Sequence, residues 1–198
     1  MTPDGKAEMR ESALQARKGI PREKLLELSE AVMKNVISSP EYRCSKVIAT
    51  YVAKSDEVMT EGIIRHSLQL GRRVLVPVSQ PASNSLVFSE LRDYQMELGL
   101  GHFRVPEPVS RYFRPTPLQE ADLILVPLVA WDERGYRLGY GKGYFDSALA
   151  GDGLSSMTMG LGLESQRMPK IPEEKHDVPL KMVATERRIV RIGSKRKN

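Results

Sequence analysis

Short, β-branched apolar runs alternate along this chain with stretches of helical period, and that alternation leaves few architectures open. Residues 46–52, 73–78, 123–129, 157–163 and 182–192 read as strands, since such brief apolar runs bounded by turn residues suit a buried sheet. A weaker alternation over 86–91 adds another candidate strand. Between them, residues 6–18 read as a helix with Met9, Ala13 and Ala16 on one stripe. Pro21 can open a second helix, in which Leu25, Leu28, Val32 and Val36 recur, with Leu26, Met33 and Ile37 widening the stripe and Ser39-Pro40 ending it. Thr60 is placed to cap a third helix running to Leu70, with Gly71 as its stop. Residues 92–122, with prolines at 106, 108, 115 and 117, carry no readable pattern. Strands alternating with helices predict an α/β fold: a single domain with a largely parallel central sheet flanked by helices on both faces. The 198-residue length suits one domain with a substantial core. In such sheets ligands bind beyond the C-terminal ends of strands. That directs attention to the segments after Val52 and after Val129.

The second of those segments is Gly-Tyr-Arg-Leu-Gly-Tyr-Gly-Lys-Gly-Tyr-Phe-Asp, residues 135–146. It reads as a loop between the 123–129 strand and a helix-compatible stretch, 146–150. Gly139, Gly141 and Gly143 let the backbone turn with positive φ and leave room for a ligand. Amide groups at a following helix start favour an anion, and Arg137 and Lys142 add full positive charge. Asp146 would repel a bare phosphate but suits one carrying Mg²⁺. The segment is not a Walker A loop, because Gly143 follows Lys142 where Ser or Thr is needed. It is not a dinucleotide fingerprint, because Tyr144 stands at the third glycine position. A flexible turn is the bland reading; the added Arg137, Lys142 and Asp146 favour a nucleotide-phosphate and metal loop.

Composition narrows the partners. The chain is 40% hydrophobic and 28% charged, as soluble globular proteins are. No apolar run approaches membrane-spanning length, and the charged first ten residues carry no apolar signal region. Cys44 is the only cysteine, which excludes an internal disulfide, suits a reducing cytoplasm and reads as a small buried or half-buried residue. Part of the +5 net charge lies in Arg187, Arg188, Arg191 and a basic tail at 195–198. No zinc-ligand spacing or RNA-binding aromatic signature accompanies it, so a nucleic-acid partner is disfavoured against a small anionic substrate.

Other residues are candidates with two readings each. Lys6 and Arg10 lie four apart on one helix face and either contact phosphate or form a solvated surface. Glu57 either accepts hydrogen bonds from a substrate amide or amine, or is a carboxylate in a solvated turn. Asp146 and Asp177 are a possible carboxylate pair for Mg²⁺. Phe103 and Trp131 either stack on a flat ring or pack in the core. The three histidines form no metal motif, and no nucleophile elbow is present.

These residues, taken in order, resemble the 5-formyltetrahydrofolate cyclo-ligase family. The specific match runs from Val126-Pro127 to Asp146, where the family has a V-P step, an aromatic-Asp-x-x-Gly and then R-L-G-x-G-x-G-Y-[YF]-D. An N-terminal K-x-x-x-R matches Lys6 and Arg10, an Asp-Glu after the first strand matches Asp56-Glu57, and a late Asp before a closing strand matches Asp177 and Val183-Ala184-Thr185-Glu186. The resemblance implies a NagB/RpiA/CoA-transferase-like fold. It implies a cytoplasmic ligase, monomer or homodimer, that uses ATP and Mg²⁺ to convert 5-formyltetrahydrofolate to 5,10-methenyltetrahydrofolate, releasing ADP and phosphate. The implied ATP-binding set is Lys6, Arg10, Arg137, Leu138, Gly139, Tyr140, Gly141, Lys142, Gly143, Tyr144 and Phe145, with Lys142 and Arg137 catalytic. Asp146 and Asp177 would hold the metal, and Val52, Glu57, Phe103 and Trp131 the reduced folate. The chain departs from the family at Leu128-Val129-Ala130, at Trp131 in place of a common Phe, at Phe145 in place of Tyr, and at Lys181 where an acidic residue is usual. A related pterin or N-formyl substrate, a sugar-phosphate isomerase on a similar scaffold, and a non-catalytic nucleotide- or RNA-binding protein remain as alternatives.

Overall fold

A computed structural model describes residues 3–102 and 105–193. Its centre is a seven-stranded sheet in the order β11-β10-β9-β6-β1-β2-β3. The strands are β1 (Val47–Thr50), β2 (Arg73–Gln80), β3 (Ser85–Leu91), β6 (Leu123–Pro127), β9 (Met157–Leu161), β10 (Met182–Ala184) and β11 (Ile189–Arg191). The pairs among β2, β1, β6, β9 and β10 are parallel; β3 and β11 are antiparallel edges. From β1 the chain runs outward through β2, then returns to lay β6, β9 and β10 on the other side. The order therefore reverses between β1 and β6, and a ligand crevice is expected at that point.

Alternation along the strands divides the core. Ile48, Leu123, Leu125 and Met159 face one side, with Leu25, Val32 and Val36 of α2 (Arg22–Ser38) and Ile63 of α4 (Glu61–Gln69). Ala49, Ile124, Val126 and Val183 face the other, beneath Leu149 of α5 (Tyr144–Leu149), Trp131 and Leu180. Helix α1 (Pro3–Lys18) lays Met9, Ala13 and Leu14 on a separate cluster of Val129, Ala130, Leu138 and Ile171. Helices thus cover both faces, as the alternation predicts.

Several local expectations are corrected. Ala16 is exposed and Leu14 takes its place in the α1 stripe. A short helix, α3 (Pro40–Cys44), follows α2 and leaves Cys44 exposed instead of buried. Thr60 makes no side-chain cap; its hydroxyl donates to Tyr51 O at 2.7 Å and ties the start of α4 to the end of β1. The segment 182–192 is two antiparallel strands, because the Thr185 hydroxyl and backbone turn the chain onto Arg188. The unreadable 92–122 stretch supplies a small hairpin, β4 (Leu98–Leu100) and β5 (Pro106–Pro108).

The glycine segment is also not a plain strand–loop–helix. Pro127 ends β6, and the chain folds into a hairpin, β7 (Ala130–Trp131) and β8 (Arg137–Leu138), before the loop. Asp132 fixes that hairpin. Fully buried, it accepts from the amides of Arg134, Tyr136 and Ile171 and pairs with the Arg134 guanidinium at 2.9 Å. Gly135 turns the hairpin at φ +89°, and a Cβ there would sit 2.4 Å from Leu180 O. Gly135→Ala therefore combines a forbidden backbone with a clash against main chain. We expect a loss of order 3 kcal/mol, read as a lowered urea midpoint with an unchanged m-value; a wild-type midpoint would contradict this account. The hairpin rests on β9 where side chains are missing: a Cβ on Gly160 would lie 2.8 Å from Leu128, and one on Gly162 would lie 2.8 Å from Leu128 and 3.2 Å from Trp131.

Candidate active site

Beyond the C-terminal ends of β1 and β6 the structure opens a cavity of about 590 Å³. Its walls come from α1, the β1–α4 loop, β2, β5, the glycine loop and the loop before β10.

One end is highly charged. Gly141 and Gly143 take positive φ, as the composition predicts, but Gly139 does not. Several contacts hold the loop, among them Arg10 Nε donating to Gly139 O at 2.8 Å, Asn84 Nδ2 donating to Lys142 O at 3.0 Å, and Arg17 of α1 gripping Tyr140. Lys142 itself is exposed at the cavity rim. Behind the loop, Arg137 is buried; it donates to Asp146 Oδ1 at 2.9 Å and to Val178 O at 2.8 Å. Burial pulls the Arg137 guanidinium below its usual range, while Asp146 and Asp177 oppose that shift. Lys6 reaches across from α1 to Asp177, 2.5 Å away. Burial alone would raise the Asp177 carboxyl, but the Lys6 ammonium and the Glu174 amide outweigh it and hold it below the usual range. The Val178 amide donates to Asp146. The chain thus brings two carboxylates, residues 146 and 177, to the same end of one cavity.

The rest of the cavity is more apolar and holds two buried acids, Glu57 and Glu107. Val52 and Glu57 are 2% and 5% exposed and line the cavity beside Tyr51 and Pro77. The Glu57 carboxylate accepts from Lys54 N at 2.8 Å. Burial nonetheless raises its carboxyl above the usual range, with the Lys54 amide and Arg17 offsetting part of the effect. The sign follows directly. The folded protein binds the Glu57 proton more tightly than the unfolded chain, so its contribution to stability falls as pH rises from about 4.5 through the folded value. Glu57→Gln removes that decline. Its melting temperature is expected to gain on the wild type as pH is raised from about 4.5 towards 8, with the gap closing again in acid. A gap independent of pH would show that Glu57 is not under this strain.

The comparisons with known proteins bear on this cavity. The model of the 5-formyltetrahydrofolate cyclo-ligase family matches residues 3–186. The chain belongs to that family. It is 29% identical over 173 residues to 5-formyltetrahydrofolate cyclo-ligase from Escherichia coli strain K12, covering 86% of this chain and 94% of the relative. It is 30% identical over 187 residues to the Mus musculus 5-formyltetrahydrofolate cyclo-ligase, covering 90% and 92%. The solved structure of Aquifex aeolicus 5,10-methenyltetrahydrofolate synthetase superposes with a TM-score of 0.83 at 30% identity, covering 98% of this chain and 95% of that one. The chain is therefore an enzyme, a ligase of folate one-carbon metabolism. Among the described residues no helix is long and apolar enough to cross a membrane.

This cyclo-ligase brings most of the expected residues to one cavity: Lys6, Arg10, Val52, Glu57, Arg137, the 139–145 loop, Asp146 and Asp177 all line it. Two do not belong there. Trp131 is fully buried among Leu128, Val126 and Leu180, and its indole donates to Leu163 O at 3.0 Å, so it is a core residue of the hairpin and not a ring for stacking. Leu138 is fully buried against Val129, Ala130 and Ile171, because alternation along β8 turns its side chain away from Arg137's side. Phe103 lies outside the described residues, as does the 195–198 tail. Lys181 is directed to the carbonyls of Ser155 and Ser156. The sequence reading missed Arg17, Lys54, Asn84 and Glu107. For Arg17 a signal was present: residues 6, 10 and 17 fall within about 40° of each other on a helix of 3.6 residues per turn.

Proposed function

We propose that this cyclo-ligase converts 5-formyltetrahydrofolate to 5,10-methenyltetrahydrofolate at the expense of ATP, releasing ADP and phosphate. The observation that carries the reading is the division of one cavity into a basic, glycine-lined end bearing two carboxylates and a more apolar part where Glu57 is buried beside Val52. A polyphosphate suits the first and a flat reduced pterin the second.

Mg²⁺ takes one or two carboxylates together with phosphate oxygens and water. Asp146 and Asp177 supply such a pair, next to cations that match phosphate. When bound there, it would neutralise phosphate charge. The protein's own residues would do the rest by position. Lys6, Arg10 and Lys142 hold the phosphates. Arg137 keeps Asp146 oriented. Glu57 accepts hydrogen bonds from the pterin's N–H groups beside Val52. In the reaction so read, the formyl oxygen attacks the γ-phosphorus and ADP leaves. N10 then attacks the activated carbon, loses its proton, and phosphate departs. No protein nucleophile is needed, so catalysis rests on alignment and charge neutralisation. The single exposed thiol suits a reducing compartment, and we place the reaction in the cytoplasm.

The test is direct. Purified protein with MgATP and 5-formyltetrahydrofolate is expected to form the methenyl product, followed by absorbance, with ADP in equal amount. ATP hydrolysis without methenyl product would point to another acyl substrate. No use of ATP at all would refute the reading.

A further inference from the structure

We propose that Tyr140 is a positioning residue that locks the glycine loop to the β1–α4 loop, with Arg17 as its anchor, and so couples nucleotide binding to folate binding. The proposal rests on the function assigned above and concerns how the two ends of that cavity communicate.

Tyr140 stands at an open position of the motif, the x between Gly139 and Gly141. It is 41% exposed at its outer edge, yet its hydroxyl is held inside. Arg17, whose side chain is 2% exposed, donates to that hydroxyl and, from the same nitrogen, to Asp56 Oδ2 at 2.6 Å. Its other terminal nitrogen lies 3.4 Å from Leu128 O, where the chain leaves β6. One guanidinium thus joins α1, the β1–α4 loop, the end of β6 and the glycine loop. The Lys54 ammonium lies 4.1 Å from the centre of the Tyr140 ring. The Tyr140 hydroxyl and the Glu57 carboxylate are near enough for each to shift the titration of the other. The tethers from Arg10 and Asn84 end on the loop's backbone. Tyr140 is tied through its side chain, by Arg17 and the Lys54 ammonium, to the β1–α4 loop that carries Glu57.

Arg17 Nε is buried without a hydrogen-bond partner among the described residues. A buried donor left unpaired is unfavourable, so the guanidinium is not placed to satisfy all its own donors. Its position is accounted for by the three segments it draws together. A loop held this way is ordered by either ligand. The second ligand to arrive finds the ordering done, which makes binding of each favour the other by the same factor.

Calorimetry with Mg²⁺ and a non-hydrolysable ATP analogue, with and without 5-formyltetrahydrofolate, reads that factor. The wild type is expected to bind each ligand about tenfold more tightly when the other is present. Tyr140→Phe keeps the ring but loses the hydroxyl; its coupling is expected to fall to within twofold of none, whatever the lost hydrogen bond costs in melting temperature or in affinity for each ligand alone. Arg17→Lys offers one ammonium where the Tyr140 hydroxyl, Asp56 and Leu128 O are reached by two nitrogens of a rigid fork, and is expected to lose coupling in the same way. A wild type that binds both ligands without coupling, or a Tyr140→Phe variant that retains it, overturns the lock and leaves the cyclo-ligase reading standing. A wild type that binds neither ligand overturns the cyclo-ligase reading itself.

Discussion

Asp146→Ala is expected to remove turnover and to weaken the fold, and adding Arg137→Met is expected to restore the fold without the turnover. Arg137 is buried; its ion-pair partner among the described residues is the partly exposed Asp146, 2.9 Å away, with Asp177 acting on its charge from further off. Removing one member of a buried pair leaves an uncompensated charge, a loss of about 3–5 kcal/mol in general. Val178 O still accepts from Arg137, so the lower part of that range applies here. In a chain this long it lowers the melting temperature by roughly 2–4 °C per kcal/mol. Arg137→Met in the same protein removes the stranded charge and fills similar volume, and most of the stability should return. The carboxylate assigned to Mg²⁺ is still gone, so kcat/KM for MgATP should stay down by about a thousandfold, some 4 kcal/mol of transition-state stabilisation. Asp146→Asn separates the roles further: it preserves shape and should raise the Mg²⁺ concentration for half-maximal rate at least tenfold. An unchanged Mg²⁺ dependence would remove Asp146 as a ligand.

Lys142→Ala is expected to lower kcat/KM for MgATP about a hundredfold, near 2.7 kcal/mol, with no change in melting temperature. The side chain is exposed at the cavity rim, and the loop around it is held through the Lys142 carbonyl by Asn84, which the substitution does not touch. The effect should therefore fall mainly on phosphate recognition. Lys142→Arg should recover part of the loss, since the charge is restored with a different reach. Wild-type kinetics in the alanine variant would move the phosphate role to Lys6 and Arg10.

The parts of this molecule legible in the sequence share a physical character: each follows from a local period or a short motif. The strand at 123–127 announces itself because buried parallel strands are apolar on both faces. The glycine loop does so because its backbone needs residues that only glycine supplies cheaply. What escaped reading depends on contacts distant in sequence. Arg17 looks like one more surface cation until Asp56, 39 positions away, and Tyr140, 123 positions away, meet it. Trp131 looks like a ligand platform because it precedes the loop, and only the close approach of Gly162 shows why an indole fits in the core there. Asp146 and Asp177 could be named separately, but their common location is created by the Arg137 guanidinium and the Val178 amide. The hairpin of β4 and β5 was silent because prolines hide its alternation, and the Glu107 carboxylate that joins it to the Ser79 amide carries no signature of its own.

The bare stretch of β9 under the hairpin acts as a depth gauge for the nucleotide loop. Leu128 and Trp131 sink to the strand because Gly160 and Gly162 put nothing in their way, and the height at which they stop sets how far Arg137 and the residues after it stand from the two carboxylates. The loop's aim is thus calibrated from below, by hydrogen atoms standing where methyl groups would be, at Gly160 on β9 and at Gly162 just past its end, outside the lining of the cavity. A chemist seeking to retune the phosphate end for a bulkier donor would find a coarse adjustment in that floor, and finer ones only in the loop itself.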